Sequence, residues 1–208
     1  MDKKPKVVIT GGNGDIAKAI AKELEAESKY ELFLPSRSEL DVTDCGQVYE
    51  YFDKVRTDIL INNAGAILLK SIKDSTFEEH KKIIDINLCG VFLCTNAVLK
   101  NNPKAKIINI ASAAGTKVHA NWSSYCSSKA GVIMAAKCWA EEGIDVICIS
   151  PGRTLTKMRK FMYPDENPDT LMDTKYIALL VKKALNGHFK AGTNLEVNLS
   201  NVKELLNE

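Results

Sequence analysis

The sequence predicts an α/β fold: one doubly wound parallel sheet of about six strands, with helices on both faces. Three observations predict it. Short apolar runs alternate with longer segments of helical period, no internal repeat or low-complexity linker interrupts them, and 208 residues with 45% hydrophobic content suit one compact domain over 1–208.

The elements follow in order. The first strand, Lys6–Thr10, carries Val7, Val8 and Ile9, and a glycine-rich turn leads from it into a helix over Asp15–Glu27. A second strand over Tyr30–Pro35 and a helix over Asp44–Val55 come next, then a third strand, Asp58–Asn62. A long helix is predicted over Phe77–Lys100, where Thr76 and Glu79 have the spacing of an N-cap and its capping-box partner. The fourth strand, Ala105–Ser112, is followed by a helix over Ser123–Glu142, and the fifth is Ile144–Ser150. Asp173 is placed to cap a helix over Thr174–Leu185; a sixth strand, Asn194–Asn198, and a short helix near Val202 end the chain. All six strands read as apolar on both faces, as a covered parallel sheet requires.

Two connections stand out. Only Ser36–Leu40 separate the second strand from Asp41-Val42, too few for the crossover a parallel neighbour needs. Asp41-Val42 is therefore expected across the end of the sheet or as a stub at its edge. The widest irregular stretch, Gly152–Met172, contains Pro164 and Pro168 and reads as a lid.

Composition narrows the function classes. A net charge of +2 without a dense Lys/Arg tract argues against nucleic-acid or acidic-membrane partners. The start Met-Asp-Lys-Lys-Pro-Lys has no signal-peptide pattern, and no unbroken apolar run approaches a membrane span, so a cytoplasmic protein is expected. Six cysteines without a C-x-x-C pair and three dispersed histidines encode neither a disulfide framework nor a metal site. Cys126 alone adjoins a residue of chemical interest.

The turn Thr10-Gly11-Gly12-Asn13-Gly14-Asp15-Ile16-Ala17 lies between a strand and a helix start. Gly11 and Gly14 allow close backbone approach, and exposed helix amides favour an anion, so Gly11, Gly12, Asn13, Gly14, Asp15 and Ile16 are candidate pyrophosphate contacts. A plain tight turn is the alternative, and the position after the first strand favours the dinucleotide. Further on, Tyr125 and Lys129 are one helical turn apart and share a face. A phenol titrates near ~10, and bringing it to about 7 needs ~4 kcal/mol of preferential phenolate stabilisation, which a nearby ammonium can contribute. Such a pair alone is usually only a helix surface.

The order of motifs supplies the context. Asn62-Asn63-Ala64-Gly65 at a strand end, Asn87 in a helix, Ser112 after a strand, Tyr125-x-x-x-Lys129, and Pro151-Gly152 followed by Thr154, Thr156 and Met158 together resemble the short-chain dehydrogenase/reductase family over about residues 6–198. The resemblance implies a Rossmann-type fold and a four-part catalytic set. Tyr125 would transfer the proton, Lys129 lower its pKa and bind nicotinamide ribose, Ser112 orient the substrate oxygen, and Asn87 hold a water linking Lys129 to solvent. It also implies that Asn63, Ala64, Gly65, Asp41 and Val42 border the adenine side and that Pro151, Gly152, Thr154 and Thr156 close over the nicotinamide. The chain resembles the compact short branch, in trimmed form, but its glycine turn has the spacing of the extended and atypical branches, with Ala17 in the last glycine position.

NAD-preferring members of the family end the second strand in an acid. Here the stretch is Phe33-Leu34-Pro35-Ser36-Arg37-Ser38, so NADP(H) is favoured over NAD(H), with Ser36 and Arg37 facing the 2'-phosphate. The expected reaction is hydride transfer between nicotinamide and a small-molecule carbonyl or secondary alcohol. Arg153, Lys157, Arg159 and Lys160 suggest an anionic or sugar-derived substrate, a solvated helix face being the alternative; Lys117, His119, Asn121 and Trp122 are expected near the pocket. An NADP-binding scaffold without turnover and an epimerase or dehydratase are the competing functions. Apolar Val91, Leu99, Ile133 and Trp139 on the two long helices suggest a homodimer or homotetramer.

Overall fold

The computed structural model describes residues 3–207; Met1, Asp2 and Glu208, which belong to the expected 1–208 domain, lie outside them. Six strands form one sheet: β1 (Lys6–Ile9), β2 (Glu31–Phe33), β3 (Ile59–Asn62), β4 (Lys106–Ile110), β5 (Val146–Pro151) and β6 (Asn194–Val197). Their order is β2-β1-β3-β4-β5-β6, and every neighbouring pair is parallel. The helices are α1 (Asp15–Glu25), α2 (Cys45–Lys54), α3 (Phe77–Ile84), α4 (Gly90–Asn101), α5 (Ser123–Glu141), α6 (Lys157–Met162), α7 (Thr174–Leu185) and α8 (Val202–Leu206).

Side-chain alternation builds two cores. Val8, Leu60, Ile107 and Val146 face α2, α4 and α5, whereas Val7, Ile9, Ile61, Ile108 and Ile147 face α1, α7 and α8. The register Val8↔Leu60, Leu60↔Ile107, Ile107↔Val146 keeps each row level across the sheet. Each fully buried aliphatic side chain contributes about 1.5–3 kcal/mol. Strand order reverses between β1 and β3, and a crevice opens there beyond the strand ends.

The capping box at Thr76 and the Asp173 cap are present. Asp41-Val42 is outside the sheet: Asp41 Oδ1 accepts from the amide and hydroxyl of Thr43, and Val42 is buried against α2 and α4.

Other expectations need correction. The edge strands are not apolar on both faces: Glu31 is exposed, and Asn194 and Glu196 are half-buried, because an edge lacks full helix cover. The single helix expected over Phe77–Lys100 is divided by a π-helical turn, Asp85–Cys89. The Gly152–Met172 stretch contains α6, a short 3-10 turn at Pro168–Thr170 and a parallel bridge between Thr154 and Met172. Phe77–Asn101 is long and apolar enough by composition to be a candidate membrane span, which a search for unbroken apolar runs overlooks; its Val91, Cys94, Ala97 and Val98 pack against the sheet. Val91 and Ile133 are thus consumed inside the subunit, and Phe92 and Met134 are the apolar residues that α4 and α5 leave exposed.

Candidate active site

The crevice holds a cleft of about 790 Å³, within the range of roughly 300–1,000 Å³ usual for small-molecule sites. It runs from Arg37, Asp41 and Val42 at one end, past Gly11, Asn13, Gly14, Asp15 and Ile16, to Ser112, Tyr125 and Lys129 and then the lid.

The nucleotide end is shaped by backbone. Gly11 has φ +66°, where a side chain is strained, and a Cβ there would meet Ala64 Cα at 2.9 Å. Thr10 Oγ1 accepts from the amides of Asn63 and Ala64, both at 3.0 Å, and so ties the end of β1 to that of β3. Gly14 caps α1 and supplies no side-chain cap, leaving first-turn amides for an anion. These free amides, beside a glycine that keeps the approach open, fit the pyrophosphate of a dinucleotide. Asp15 is the exception in the turn: its carboxylate accepts from the amide of Lys157 at 2.6 Å, reaching the lid.

Three of the predicted catalytic and cofactor-binding residues do not line the cleft: Gly12, Ser36 and Asn87. Gly12 packs against β2, where a Cβ would meet Leu34 O at 2.3 Å, and its amide donates to Pro35 O. Ser36 donates through both amide and hydroxyl to Glu39, at 2.8 and 2.7 Å. Arg37 does line it, but its Nε donates to Asp41 at 3.0 Å, leaving the Nη groups for a ligand. Asn87 lies behind the wall, fully buried.

The π turn places Asn87. Its Oδ1 accepts from Ala66 N and its Nδ2 donates to Ala66 O, each at 2.8 Å, with a further donation to Ser128 Oγ at 3.3 Å. A side chain there satisfies a loop backbone that belongs to no sheet, and π turns recur at functional sites. Asn87 Oδ1 and Lys129 Nζ both approach the space beside Gly65, at 3.4 and 3.9 Å from an ideal Cβ.

Tyr125 and Lys129 point the same way, the ammonium 5.8 Å from the ring centroid. Lys129 is buried and donates to Ile110 O at 2.8 Å; burial pulls its pKa down to about 8. Burial likewise pushes the Tyr125 hydroxyl up, opposed by the polar influence of the Ser112 hydroxyl. The downward shift expected from Lys129 is therefore not the dominant influence on the phenol here, because desolvation disfavours phenolate more. Ser112 is fixed by its role as cap, its Oγ accepting from Ala114 N at 3.1 Å.

On the lid side, Pro151, Gly152, Thr154 and Thr156 all line the cleft. Thr154 turns its hydroxyl inward to Gly152 O, and Thr156 caps α6. Lys117, His119 and Trp122 border the cleft; Asn121 does not, and its carbonyl accepts from Lys70 N. Trp122 stacks on His119 at 4.6 Å and meets Tyr125 edge-on at 5.9 Å. Sequence reasoning missed Ile67, Met162, Asn198 and Ser200, which belong to no motif and reach the cleft only through the fold.

A sequence model of the short chain dehydrogenases matches residues 2–167. The chain is 41% identical over 110 residues to a 3-oxoacyl-(acyl-carrier-protein) reductase of Synechocystis, 50% of this chain and 44% of that protein. It is 33% identical over 181 residues to the corresponding reductase FabG of Escherichia coli K12, covering 80% of this chain and 70% of that one. The chain thus spans less than half the length of the first relative and more than two thirds of the second. Among solved structures, ElxO with NADP bound superposes with a TM-score of 0.81 at 25% identity, over 94% of this chain and 98% of that one.

Proposed function

We infer that this chain, which belongs to the short-chain dehydrogenase family, is a reductase that uses NADP(H) in preference to NAD(H) and acts on a small-molecule carbonyl or the matching secondary alcohol. The observation that carries this reading is the meeting of Ser112, Tyr125 and Lys129 in one cleft whose far end offers free helix amides. When bound, the nicotinamide supplies or accepts the hydride.

The chain's own residues manage the proton. A phenol is protonated at neutrality and burial favours that form of Tyr125 further, the state a general acid needs to donate its proton to a carbonyl oxygen as that oxygen gains charge. Ser112 donates a second hydrogen bond to the same oxygen. Lys129, with its pKa near 8, remains largely cationic at neutral pH, steadies the phenolate left behind and binds nicotinamide ribose. Asn87 holds the loop around Ala66 in place, and in this reading would also hold the water that links Lys129 to solvent.

Gly11, Asn13, Gly14 and Ile16 face the pyrophosphate, Asn63, Ala64, Gly65, Asp41 and Val42 the adenine side, and Pro151, Gly152, Thr154 and Thr156 the nicotinamide. The Nη groups of Arg37 address the 2'-phosphate, supported by the NADP bound in ElxO. The reading takes 1–208 as one cytoplasmic nucleotide-binding domain, associated as a homo-oligomer through the face where Phe92 packs on Trp139.

NADPH oxidation across a carbonyl library, with cofactor titrations beside it, tests the reading. NADPH is expected to bind about tenfold more tightly than NADH, with Arg37→Ala erasing the difference. Equal affinities in the unmodified protein would reject the cofactor assignment.

A further inference from the structure

We propose that Arg153 and Arg159, held in position by Glu166, form a clamp for a phosphate monoester carried by the carbonyl substrate. The proposal rests on the reductase reading and adds the chemical class of the substrate, two residues that recognise it and one positioning residue.

The geometry begins with Glu166. Its carboxylate accepts a two-point fork from Arg159, Nε to Oε2 at 2.5 Å and Nη2 to Oε1 at 2.7 Å, and Oε1 also accepts from Arg153 Nη1 at 3.1 Å. The Arg159 and Glu166 side chains are each only 14% exposed. Arg159 lies 4.1 Å over the Tyr163 ring, and Tyr163 neighbours Trp122, which adjoins Tyr125. The guanidinium is therefore fixed in plane by a fork and on its face by a ring before any ligand arrives.

Both arginines line the cleft and Glu166 does not. The carboxylate occupies one edge of the Arg159 guanidinium and a single N–H of Arg153, leaving the unspent N–H groups for a ligand in the cleft. One carboxylate also cannot neutralise two guanidiniums. Lys117 and Lys157 also line the cleft, and neither has an ion-pair partner among the described residues. The lid side of the cleft thus carries a positive surplus, and Arg159 reaches the Tyr125 side through Tyr163 and Trp122.

This arrangement favours phosphate over carboxylate. A carboxylate is satisfied by one guanidinium fork. A phosphate monoester presents three acceptor oxygens and a charge of about −1.5 to −2 near neutrality, which calls for more than one cation. Two guanidiniums held apart by a shared acid meet that need.

The test uses matched pairs: glyceraldehyde and glyceraldehyde 3-phosphate, dihydroxyacetone and its phosphate, with pyruvate as the carboxylate probe. NADPH oxidation should favour the phosphorylated member by about tenfold to a hundredfold in kcat/KM, the span of a lost charge-assisted contact. Inorganic phosphate should compete with it. Arg159→Ala should erase the preference through KM while the NADPH dissociation constant holds, which also reports an intact fold; Arg153→Ala should erase part of it. Glu166→Gln should raise KM more than it lowers kcat, with partial recovery in Glu166→Asp. Equal use of phosphorylated and plain carbonyls, preference for pyruvate, or a phosphate preference that survives loss of both arginines overturns the clamp and leaves the reductase reading standing. A chain that oxidises NADPH with no carbonyl any faster than its Tyr125→Phe variant refutes the reductase reading, and the clamp falls with it.

Discussion

The floor of the cleft and its lid are built on opposite principles. On the floor, Asn87, Ser128 and Lys129 are buried, and their polar atoms are bound to the backbone of Ala66, Tyr125 and Ile110. In the lid, α6 has no buried residue, and its attachments are the Thr154–Met172 bridge, the Arg159–Glu166 fork and the reach from Asp15 to Lys157. Groups that titrate gain from a dry, fixed surrounding, since burial is what moves Lys129 and Tyr125 from their ordinary pKa values. A segment that must admit a ligand gains from contacts that water can replace at small cost.

The sharpest way to break this contrast is at the floor. Tyr125→Phe removes the hydroxyl and little volume, so folding and NADPH affinity should hold while turnover falls by about 10²–10⁴, the usual contribution of a positioned acid. Single-turnover kinetics beside a binding titration separate the two quantities, and unchanged turnover would show that the half-buried phenol is only packing.

Lys129 tests the floor through pH. Its folded pKa of about 8 lies below the ordinary 10.5 because burial disfavours the ammonium. Between those values the unfolded chain binds more protons, so this group's contribution to stability rises with pH and is lost as pH falls through about 8. Lys129→Met removes that titration. The variant's stability relative to the parent should be greatest near pH 7 and decline by on the order of 2 kcal/mol by about pH 10, since it lacks the parent's gain. Denaturant melts of both proteins across this range read the difference, and the raised Tyr51 and Cys94, on which Lys129 does not act, titrate in both and cancel. A pH-independent difference would mean that the ammonium is hydrated.

The same contrast explains what could be read in the sequence. The six strands and their helices follow from apolar periodicity, and Ser112, Tyr125 and Lys129 follow from motif order; all three line one cleft. Gly12 and Asn87 belong to motifs, yet they act one layer back, against Leu34 and Ala66, which spacing alone does not reveal. The π turn had no sequence signal, because Phe77–Asn101 keeps a helical pattern through it. In the lid, four basic residues could be seen, but their division could not: Glu166 takes Arg153 and Arg159 and leaves Lys157 and Lys160 unpaired among the described residues. Ion pairing across a folded loop depends on tertiary placement.

Asp15 joins the two regions and carries the smallest expected effect. It opens α1, where an acid suits the helix dipole but opposes a pyrophosphate on the same turn. Its carboxylate instead accepts from the first amide of α6. An exposed, charge-assisted bond of this kind is worth about 1 kcal/mol. Asp15→Ala should therefore quicken exchange of the Lys157 amide by about fivefold while amides of β4 and α5 keep their rates. Removing the acid should also strengthen NADPH binding if repulsion at the turn outweighs the loosened lid, and weaken it if the lid's closure matters more. Hydrogen exchange with and without NADPH decides between these, because closure requires that the cofactor protect Lys157 in the parent chain and protect it less in the variant.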